Sequence, residues 1–242
     1  MKEKQKSIWV FGDYRNYYQN RVTLQLISKA VDLARVMAAE VCAVVVGHDI
    51  EEWIMEYTAH GADRILAIDH PSLTSYSTEH YLALMERLAG ERDPDIILIG
   101  ATDFGREFAP RLAKRLKTGL SADCVGLDIT SEGLLVQIAP SFGGNMLAEI
   151  VTEKHRPQMA TVRHRVFEMP AADPGRQGQI ISVGAELREE QIATRVLAFI
   201  VEQGDQGFRQ GVGVFGWHNQ AAACRAHHIR HTGSIRNNQR PG

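Results

Sequence analysis

The sequence predicts a doubly wound, mostly parallel α/β sheet with a short antiparallel extension, and three observations support this prediction. Between residues 7 and 116, short β-branched runs alternate with longer amphipathic runs, a rhythm typical of parallel strands joined by helical crossovers. The run Val41–Val46 is apolar on both faces, as a central parallel strand is. After residue 117, short apolar runs are separated by Gly and Pro, with no helical stripe between them, which indicates strands alone.

Each element of the first half follows from its own pattern. In Gln19–Ala39, apolar residues recur at helical spacing and form one stripe, which predicts an amphipathic helix. Gly61 is placed to end the second helix, and Ser77 or Thr78 is placed to cap the third. The predicted strands are Ser7–Phe11, Val41–Val46, Arg64–Ile68 and Asp95–Ile99, and the other predicted helices are Ile50–Ala59, Ser75–Leu88 and Glu107–Leu116.

The second half is predicted to hold four strands that either extend the sheet or fold as a small antiparallel set. Met169–Gly178 is rich in Pro and Gly and is predicted to be a linker. Thr194–Val201 is either a strand or a short buried helix, because periodicity cannot separate the two at this length. The four predicted strands are Ala122–Ile129, Leu134–Ala139, Asn145–Val151 and Gln158–Val162.

The segment from Phe208 to Gly242 differs in composition from the rest of the chain. It holds five Arg and four of the chain's ten His, but no Lys, Asp, Glu or Leu. Three interpretations stay open: a basic tail for nucleic acid, a disordered extension, or loss of the native reading frame near residue 207. We therefore expect one domain at residues 1–205 and an irregular or disordered tail at residues 206–242.

Composition narrows the class of protein. The formal net charge is −2, so electrostatics give no case for a nucleic-acid or anionic-membrane partner. The three cysteines are far apart and form no CxxC motif, which favours a reducing, cytoplasmic compartment. Apolar runs all stay short of the ~18 residues that a transmembrane helix needs, so we expect no transmembrane segment.

A glycine turn follows the fourth predicted strand, at Gly100–Arg106. Turns that join a parallel strand to a helix are where α/β sheets bind ligands, but Thr102 and Asp103 are also ordinary N-cap residues. The turn matches neither GxGxxG nor the Walker phosphate loop. Asp13 and Asp69 follow the first and third predicted strands, and either one is suited to bind a ribose or to cap a helix.

Several blocks of sequence resemble one known family. The segment Gly100–Asp128 resembles the Gly-Ala-Thr-x-x-Gly-Arg-x-x-x-Pro signature of the alpha subunit of electron-transfer flavoproteins, and Ser141–Ile150 and Arg156–Phe167 fit the same family in order. The resemblance covers residues 7–205. It implies the family's N-terminal domain, a three-layer α/β/α unit of the adenine nucleotide alpha hydrolase-like kind. Such a domain packs against a similarly folded beta subunit and forms a base under a mobile flavin domain.

The resemblance also implies a function. A member of this family is an electron carrier and not a catalyst by itself. It takes electrons from an acyl-CoA dehydrogenase or a similar flavoenzyme and passes them to a downstream acceptor. The family's FAD is held mainly by the C-terminal domain of the alpha subunit, and the blocks that hold it are not recognisable in this chain. We therefore expect this chain alone to bind FAD weakly or not at all; a yellow preparation with stoichiometric flavin would contradict this.

The residues singled out fit an interface or structural role better than catalysis, and no catalytic or metal-binding set is predicted. Positive charge is disfavoured at a helix start, so Arg106 needs a partner, either in its own sheet or across a subunit boundary. Two rival functions stay open: a stand-alone adenine-nucleotide-binding module and a non-catalytic dimerisation scaffold. The subunit-interface or structural candidates are Gly105, Arg106, Pro110, Gly143, Gly144, Asn145 and Arg163.

Overall fold

The computed structural model describes residues 5–169, 171–186, 194–200 and 212–217. Its first half alternates strands and helices, as the sequence predicts. The strands are β1 (Ser7–Phe11), β2 (Glu40–Gly47), β3 (Arg64–Asp69) and β4 (Ile96–Gly100), and the helices are α1 (Tyr17–Met37), α2 (Glu51–Ala59), α3 (Thr78–Arg92) and α4 (Asp103–Arg115). The strands that follow are β5 (Leu120–Cys124), β6 (Gly126–Ile129), β7 (Leu135–Ser141), β8 (Met146–Val151), β9 (Gln158–Val162), β10 (Gln179–Ser182), β11 (Thr194–Ile200) and β12 (Val212–Trp217).

Seven strands form one sheet in the order β10–β3–β2–β1–β4–β9–β5. Every neighbouring pair in this sheet is parallel, and the strand order reverses between β1 and β4, so the sheet is doubly wound as predicted. Strands β6, β7 and β8 form a separate antiparallel sheet. Both alternatives for the second half therefore occur, because β5 and β9 extend the main sheet while β6–β8 form the antiparallel set.

The main sheet separates two hydrophobic cores, which confirms the three-layer arrangement. Successive side chains of a strand point to opposite faces. In β1, Ile8 and Val10 join the core packed under α1 and α2, whereas Trp9 and Phe11 join the core packed under α3 and α4. All four side chains are buried. Among the described helices, none is both long enough and apolar enough to cross a membrane.

Helix boundaries differ from the predicted ones for local reasons. Helix α4 begins at Asp103, four positions before the predicted start, because Thr102 caps it through its side chain. Helix α3 begins at Thr78, after a short 3₁₀ turn at Pro71–Leu73. Ser77 occupies the N-cap position of α3 but makes no capping hydrogen bond through its side chain. Helix α2 ends with His60 as its C-cap, and Gly61 follows with φ +124°.

Two features of the second half were not predicted. The predicted strand Ala122–Ile129 is divided into β5 and β6, which lie in different sheets. The division follows a register shift beside β9 and a left-handed φ of 60° at Asp123. The predicted linker Met169–Gly178 leads into β10, which pairs with β3 at the far edge of the main sheet.

The last described strands bear on the predicted tail. Thr194–Ile200 is a strand, which decides between the two alternatives left open by its pattern. It pairs antiparallel with Val212–Trp217. The prediction of an irregular tail is wrong at those six residues, because the backbone of β11 supplies them with a ladder of hydrogen bonds. Residues 206–211 and 218–242 lie outside the described part of the chain, and the domain boundary near residue 205 stays a prediction.

Candidate functional site at the carboxyl edge of the sheet

The crevice between the ends of β1 and β4 is the place where an open α/β sheet usually binds its ligand. In this chain, the loop after β1 contributes Asp13 and the loop after β4 contributes Thr102. The Thr102 hydroxyl donates a hydrogen bond of 2.9 Å to Oδ2 of Asp13. Only 3% of Asp13 is exposed. The chain's own side chains therefore close the crevice.

Arg15 completes this closure. Its Nε and one terminal nitrogen donate to Oδ1 of Asp13 at 2.9 and 2.6 Å. The guanidinium also lies over the ring of Phe104, 3.6 Å from its centroid, and 4.9 Å from the centroid of Tyr76. Stacking on aromatic rings adds to the charge pairing. Asp13 is thus engaged in an internal ion pair and does not face an open ribose site.

The first turn of α4 is likewise closed to a ligand by the chain's own groups. The hydroxyl oxygen of Thr102 accepts a hydrogen bond of 3.0 Å from the backbone N–H of Gly105, which confirms Thr102 as the N-cap. A first-turn N–H group that could bind a phosphate is therefore already paired. Asp69, the other candidate for a ribose, accepts hydrogen bonds from the backbone N–H groups of Asp49 and Ile50 just before α2. Asp69 therefore caps the start of α2, which was the predicted alternative to binding a ribose.

Gly105 lies where the start of α4 meets the end of β4. A Cβ atom at this position would overlap the carbonyl oxygen of Gly100 and would lie 3.0 Å from its carbonyl carbon. The glycine is therefore required by close backbone approach. Pro110 lies on the exposed side of α4 and does not break the helix. Their roles at a subunit interface stay predictions.

A second cluster at the same edge brings together Arg106, Arg163 and an aspartate that the sequence did not single out. Arg163 donates to Oδ2 of Asp123 from Nε and a terminal nitrogen, at 2.8 and 2.6 Å. A terminal nitrogen of Arg106 lies 3.7 Å from Oδ1. Arg106 therefore has a carboxylate partner in its own sheet, one of the two predicted alternatives.

The backbone of β5 aims Asp123 at these arginines. Asp123 has a φ of +60° and lies at the register shift between β5 and β9. Its N–H donates 2.9 Å to the Thr161 hydroxyl oxygen instead of to a ladder carbonyl. The hydrogen bond from Arg163 is the main reason that the pKa of Asp123 is lowered, and the nearby charges of Arg163 and Arg106 lower it further.

Asp123→Asn should therefore reduce stability in a pH-dependent way. A carboxyl group with a lowered pKa in the folded state stabilises the fold above its unfolded pKa of about 3.9, and this contribution is lost as the pH falls through the folded pKa. Because 33% of the Asp123 side chain is exposed, solvent screens the pair, and we expect a cost of about 0.5–1 kcal/mol at pH 7. Urea unfolding at pH 7, at pH 4 and at the lowest pH below the unfolded pKa at which the protein stays folded measures it.

The matched control is Asp32→Asn, which removes a more exposed ion pair with Arg35 on α1. Its cost should stay below about 0.5 kcal/mol at each pH. The Asp123 interpretation fails if the cost of Asp123→Asn is as large at the most acidic pH where the protein is folded as it is at pH 7.

The turn before β8 holds three more candidates. Gly143 and Gly144 have φ values of 70° and 92°, so this turn uses the left-handed region. A Cβ atom on either glycine would meet no other atom within 4 Å, so backbone conformation and not crowding favours glycine here. Asn145 has a φ of −78° and lies in the ordinary right-handed region. The turn leads directly into β8.

Strand β8 exposes four apolar side chains. Its outer edge has no neighbouring strand in the described part of the chain, since its sheet has the order β6–β7–β8. The exposed fractions of its apolar residues are 59% for Met146, 64% for Leu147, 39% for Ile150 and 38% for Val151. Six of the seven candidates therefore divide between two places: Gly105, Arg106 and Arg163 at the carboxyl edge, and Gly143, Gly144 and Asn145 beside β8. The seventh, Pro110, lies within α4.

FAD, the cofactor implied by the resemblance, does not fit the cavities at the carboxyl edge of the described residues. One cavity of about 370 Å³ lies between Arg15, Tyr76 and Tyr81, and another of about 170 Å³ lies beside α1. Pockets for drug-sized ligands measure about 300–1,000 Å³, and a dinucleotide needs the upper part of that range. The Asp13–Thr102 hydrogen bond also fills the crevice between the strands.

Comparisons with known proteins agree with the fold. A family model for the electron transfer flavoprotein domain matches residues 8–187. The electron transfer flavoprotein subunit alpha of Thermoanaerobacterium thermosaccharolyticum is 42% identical over 197 residues, which cover 81% of this chain and 60% of that protein. The lactate dehydrogenase (NAD(+),ferredoxin) subunit LctC of Acetobacterium woodii is 42% identical over 165 residues, 68% of this chain and 40% of that protein. The acryloyl-CoA reductase electron transfer subunit beta of Anaerotignum propionicum is 32% identical over 222 residues, 81% of this chain and 60% of that protein.

The chain thus spans about 60% of the length of the curated alpha subunit that it matches. The match extends over the whole seven-stranded sheet and the antiparallel set beside it. It includes both the Asp123 cluster and the β8 strand. The chain therefore belongs to the electron transfer flavoprotein family, and the matched residues form a domain of the alpha-subunit, N-terminal type.

Proposed function

We propose that this chain is an alpha-type subunit of an electron transfer flavoprotein, in which residues 1–205 form a rigid platform for a beta subunit. It acts as an electron carrier in that assembly and not as a catalyst by itself. Electrons come from a donor flavoenzyme and leave to a downstream acceptor. The observation that supports the platform role most directly is the exposure of apolar side chains on both faces of β8.

Strand β8 has the properties of a protein interface. Soluble proteins avoid long apolar edge strands, because an open edge pairs readily with other chains. Met146 and Ile150 are exposed on one face of β8, and Leu147 and Val151 on the other. The outer edge of this strand is open in the described part of the chain. A partner that covers this strand would remove apolar surface from water and pair the open backbone groups. A beta subunit is the partner that the family provides.

The donor is proposed from the names of the relatives. Similar proteins are named as subunits of a lactate dehydrogenase and of an acryloyl-CoA reductase. Our proposal for this chain is an acyl-CoA dehydrogenase or a similar flavoenzyme. Binding of candidate dehydrogenases to the assembled heterodimer, measured by calorimetry, would identify the donor.

The two rival functions predict different results. An adenine-nucleotide module would bind AMP or ATP with micromolar affinity in calorimetry. The closed Asp13–Thr102 crevice and the paired N–H of Gly105 argue against such binding. A dimerisation scaffold would form a homodimer that ignores the beta subunit.

Leu147→Asp should break the proposed heterodimer. When the wild-type chain is co-expressed with a beta subunit encoded beside it, we expect a stable one-to-one complex in gel filtration. Leu147 is 64% exposed in the free chain, so the substitution should leave the fold intact. In the complex it would bury an unpaired carboxylate, and loss of one central interface contact costs about 2 kcal/mol or more. Co-purification should therefore fall at least tenfold.

The control is Met55→Asp, an apolar-to-acidic change on α2 at a residue that is 63% exposed. It should co-purify like the wild type. If Leu147→Asp and the wild type co-purify equally, β8 is not part of the interface. Stoichiometric flavin on the chain alone would contradict the platform role itself.

A further inference from the structure

A small cavity lies between the first turns of α1 and the loop that follows β9. Its volume is about 170 Å³, and its lining residues are Tyr17, Tyr18, Arg21, Val22, Gln25, His164 and Arg165. It is separate from the closed crevice between β1 and β4, whose own polar groups are already paired. Three of the lining side chains carry or can accept positive charge, and two present tyrosine hydroxyl groups.

The two arginines of this cavity differ from the other arginines of the carboxyl edge. Arg15 and Arg163 each have an aspartate partner. Within the described part of the chain, Arg21 and Arg165 form no ion pair. Their guanidinium groups instead lie over tyrosine rings, each 5.6 Å from a ring centroid: Arg21 over Tyr17 and Arg165 over Tyr18. Two positive charges thus converge on one cavity without an internal counter-charge.

The wall of the cavity is held by specific contacts. Arg165 has a φ of 61°, a conformation that is uncommon for a residue other than glycine. Its backbone N–H donates a 3.0 Å hydrogen bond to the side-chain oxygen of Gln25 on α1. The ring of His164 packs edge-on against Tyr18, with 5.7 Å between centroids. The loop after β9 is therefore fixed to α1, and the arginines are presented from a built surface.

We propose that this cavity binds a phosphate group. A phosphate monoester carries a charge of about −1.5 to −2 at pH 7 and three acceptor oxygens, which matches two guanidinium groups without a carboxylate partner and two tyrosine hydroxyls. One terminal nitrogen of Arg21 already donates a 3.1 Å hydrogen bond to the Tyr17 hydroxyl oxygen, and its other N–H groups are left for the phosphate. Guanidinium groups bind phosphate oxygens through paired hydrogen bonds. A carboxylate has a single charge and would leave one arginine uncompensated. The volume corresponds to about six water molecules at ~30 Å³ each, so the phosphate enters and the rest of an ester stays outside, beside Tyr17 and Tyr18.

Calorimetry of the full-length chain at low ionic strength tests this proposal, with inorganic phosphate and phenyl phosphate as probes. We expect both to bind to the wild type. Arg21→Gln and Arg165→Gln should each weaken binding about tenfold, and the double variant should abolish it. Both residues are exposed, so the variants should keep the wild-type unfolding curve. Arg35→Gln, at the other end of α1 with its guanidinium paired to Asp32, should bind like the wild type.

The comparison of probes identifies the source of the phosphate. Tighter binding of phenyl phosphate supports an ester whose ring contacts the exposed tyrosines, and equal binding supports free phosphate. The proposal is overturned if neither probe binds, if Arg35→Gln weakens binding as much as Arg165→Gln, or if acetate competes as well as phosphate. None of these results depends on the beta subunit, so they leave the proposed platform role to its own test.

Discussion

Gly105→Ala is expected to destabilise this protein more than any other single methyl group added at the candidate site. The new Cβ would overlap the carbonyl oxygen of Gly100 and lie 3.1 Å from the Cγ2 atom of Ile99. The first obstacle is backbone and cannot rotate away, so α4 must move from the end of β4. That movement would disturb the Thr102 cap and the packing of Phe104. We expect a loss of about 4 kcal/mol or more in the free energy of unfolding, at the severe end of single substitutions.

The control for Gly105→Ala is Gly90→Ala in α3. A Cβ atom at Gly90 would meet nothing within 4 Å, and alanine is favoured over glycine inside a helix by about 0.5–1 kcal/mol. The same chemical change should therefore stabilise one helix and disrupt another. Urea unfolding followed by circular dichroism measures both. A cost below 1 kcal/mol for Gly105→Ala would show that α4 does not press on β4.

Asp13→Ala is expected to have the second large effect on the free energy of unfolding. The Asp13 carboxylate accepts two hydrogen bonds from Arg15 and one from Thr102. Its removal leaves Arg15, whose side chain is 28% exposed, without a counter-charge above the ring of Phe104. Breaking a buried ion pair from one side costs about 3–5 kcal/mol. We expect the lower end, about 3 kcal/mol, because water reaches part of Arg15.

A double-mutant cycle separates the ion pair from simple loss of packing. Arg15→Met removes the charge and keeps an unbranched side chain over the aromatic rings. If the two side chains act together, the double variant should be more stable than the sum of the single effects predicts, by about 1.5 kcal/mol or more. Asp103→Ala, an exposed change in the first turn of α4, serves as the control and should cost less than about 1 kcal/mol. Additive effects at Asp13 and Arg15 would refute the coupling.

The sequence predicts the sheet and its two cores well, because burial on both faces of β2 and the helical stripe of α1 are local patterns. It does not predict Asp123 as the centre of an arginine cluster. The left-handed backbone there arises where the chain leaves β5 for a different sheet, which is a tertiary event without a local signal. β10 is missed for a related reason, since four residues after a linker become a strand only because the edge of β3 is open to them.

The sequence also does not predict that the crevice between β1 and β4 is closed. The position of Asp13 after a parallel strand correctly places it at the ligand edge of the sheet. One partner, Arg15, comes from the same loop, whereas the other, Thr102, comes from the turn after β4 and is far away in sequence. The sequence pattern locates the edge of the sheet, but only the structure shows that Arg15 and Thr102 fill the crevice. The choice between an open and a closed crevice depends on side-chain contacts, which periodicity does not report.

The strand order has a consequence for how the molecule can be used by two neighbours at once. β10 lies at one margin of the main sheet, and β5, with the antiparallel set next to it, lies at the other. Adjacent strands are about 4.8 Å apart, so these margins are separated by roughly 29 Å. Polypeptide that continues past Glu186 starts from the first margin, whereas a protein seated on β8 approaches from the second. The polypeptide that starts at the β10 margin can therefore move without competing for space with a protein bound at β8.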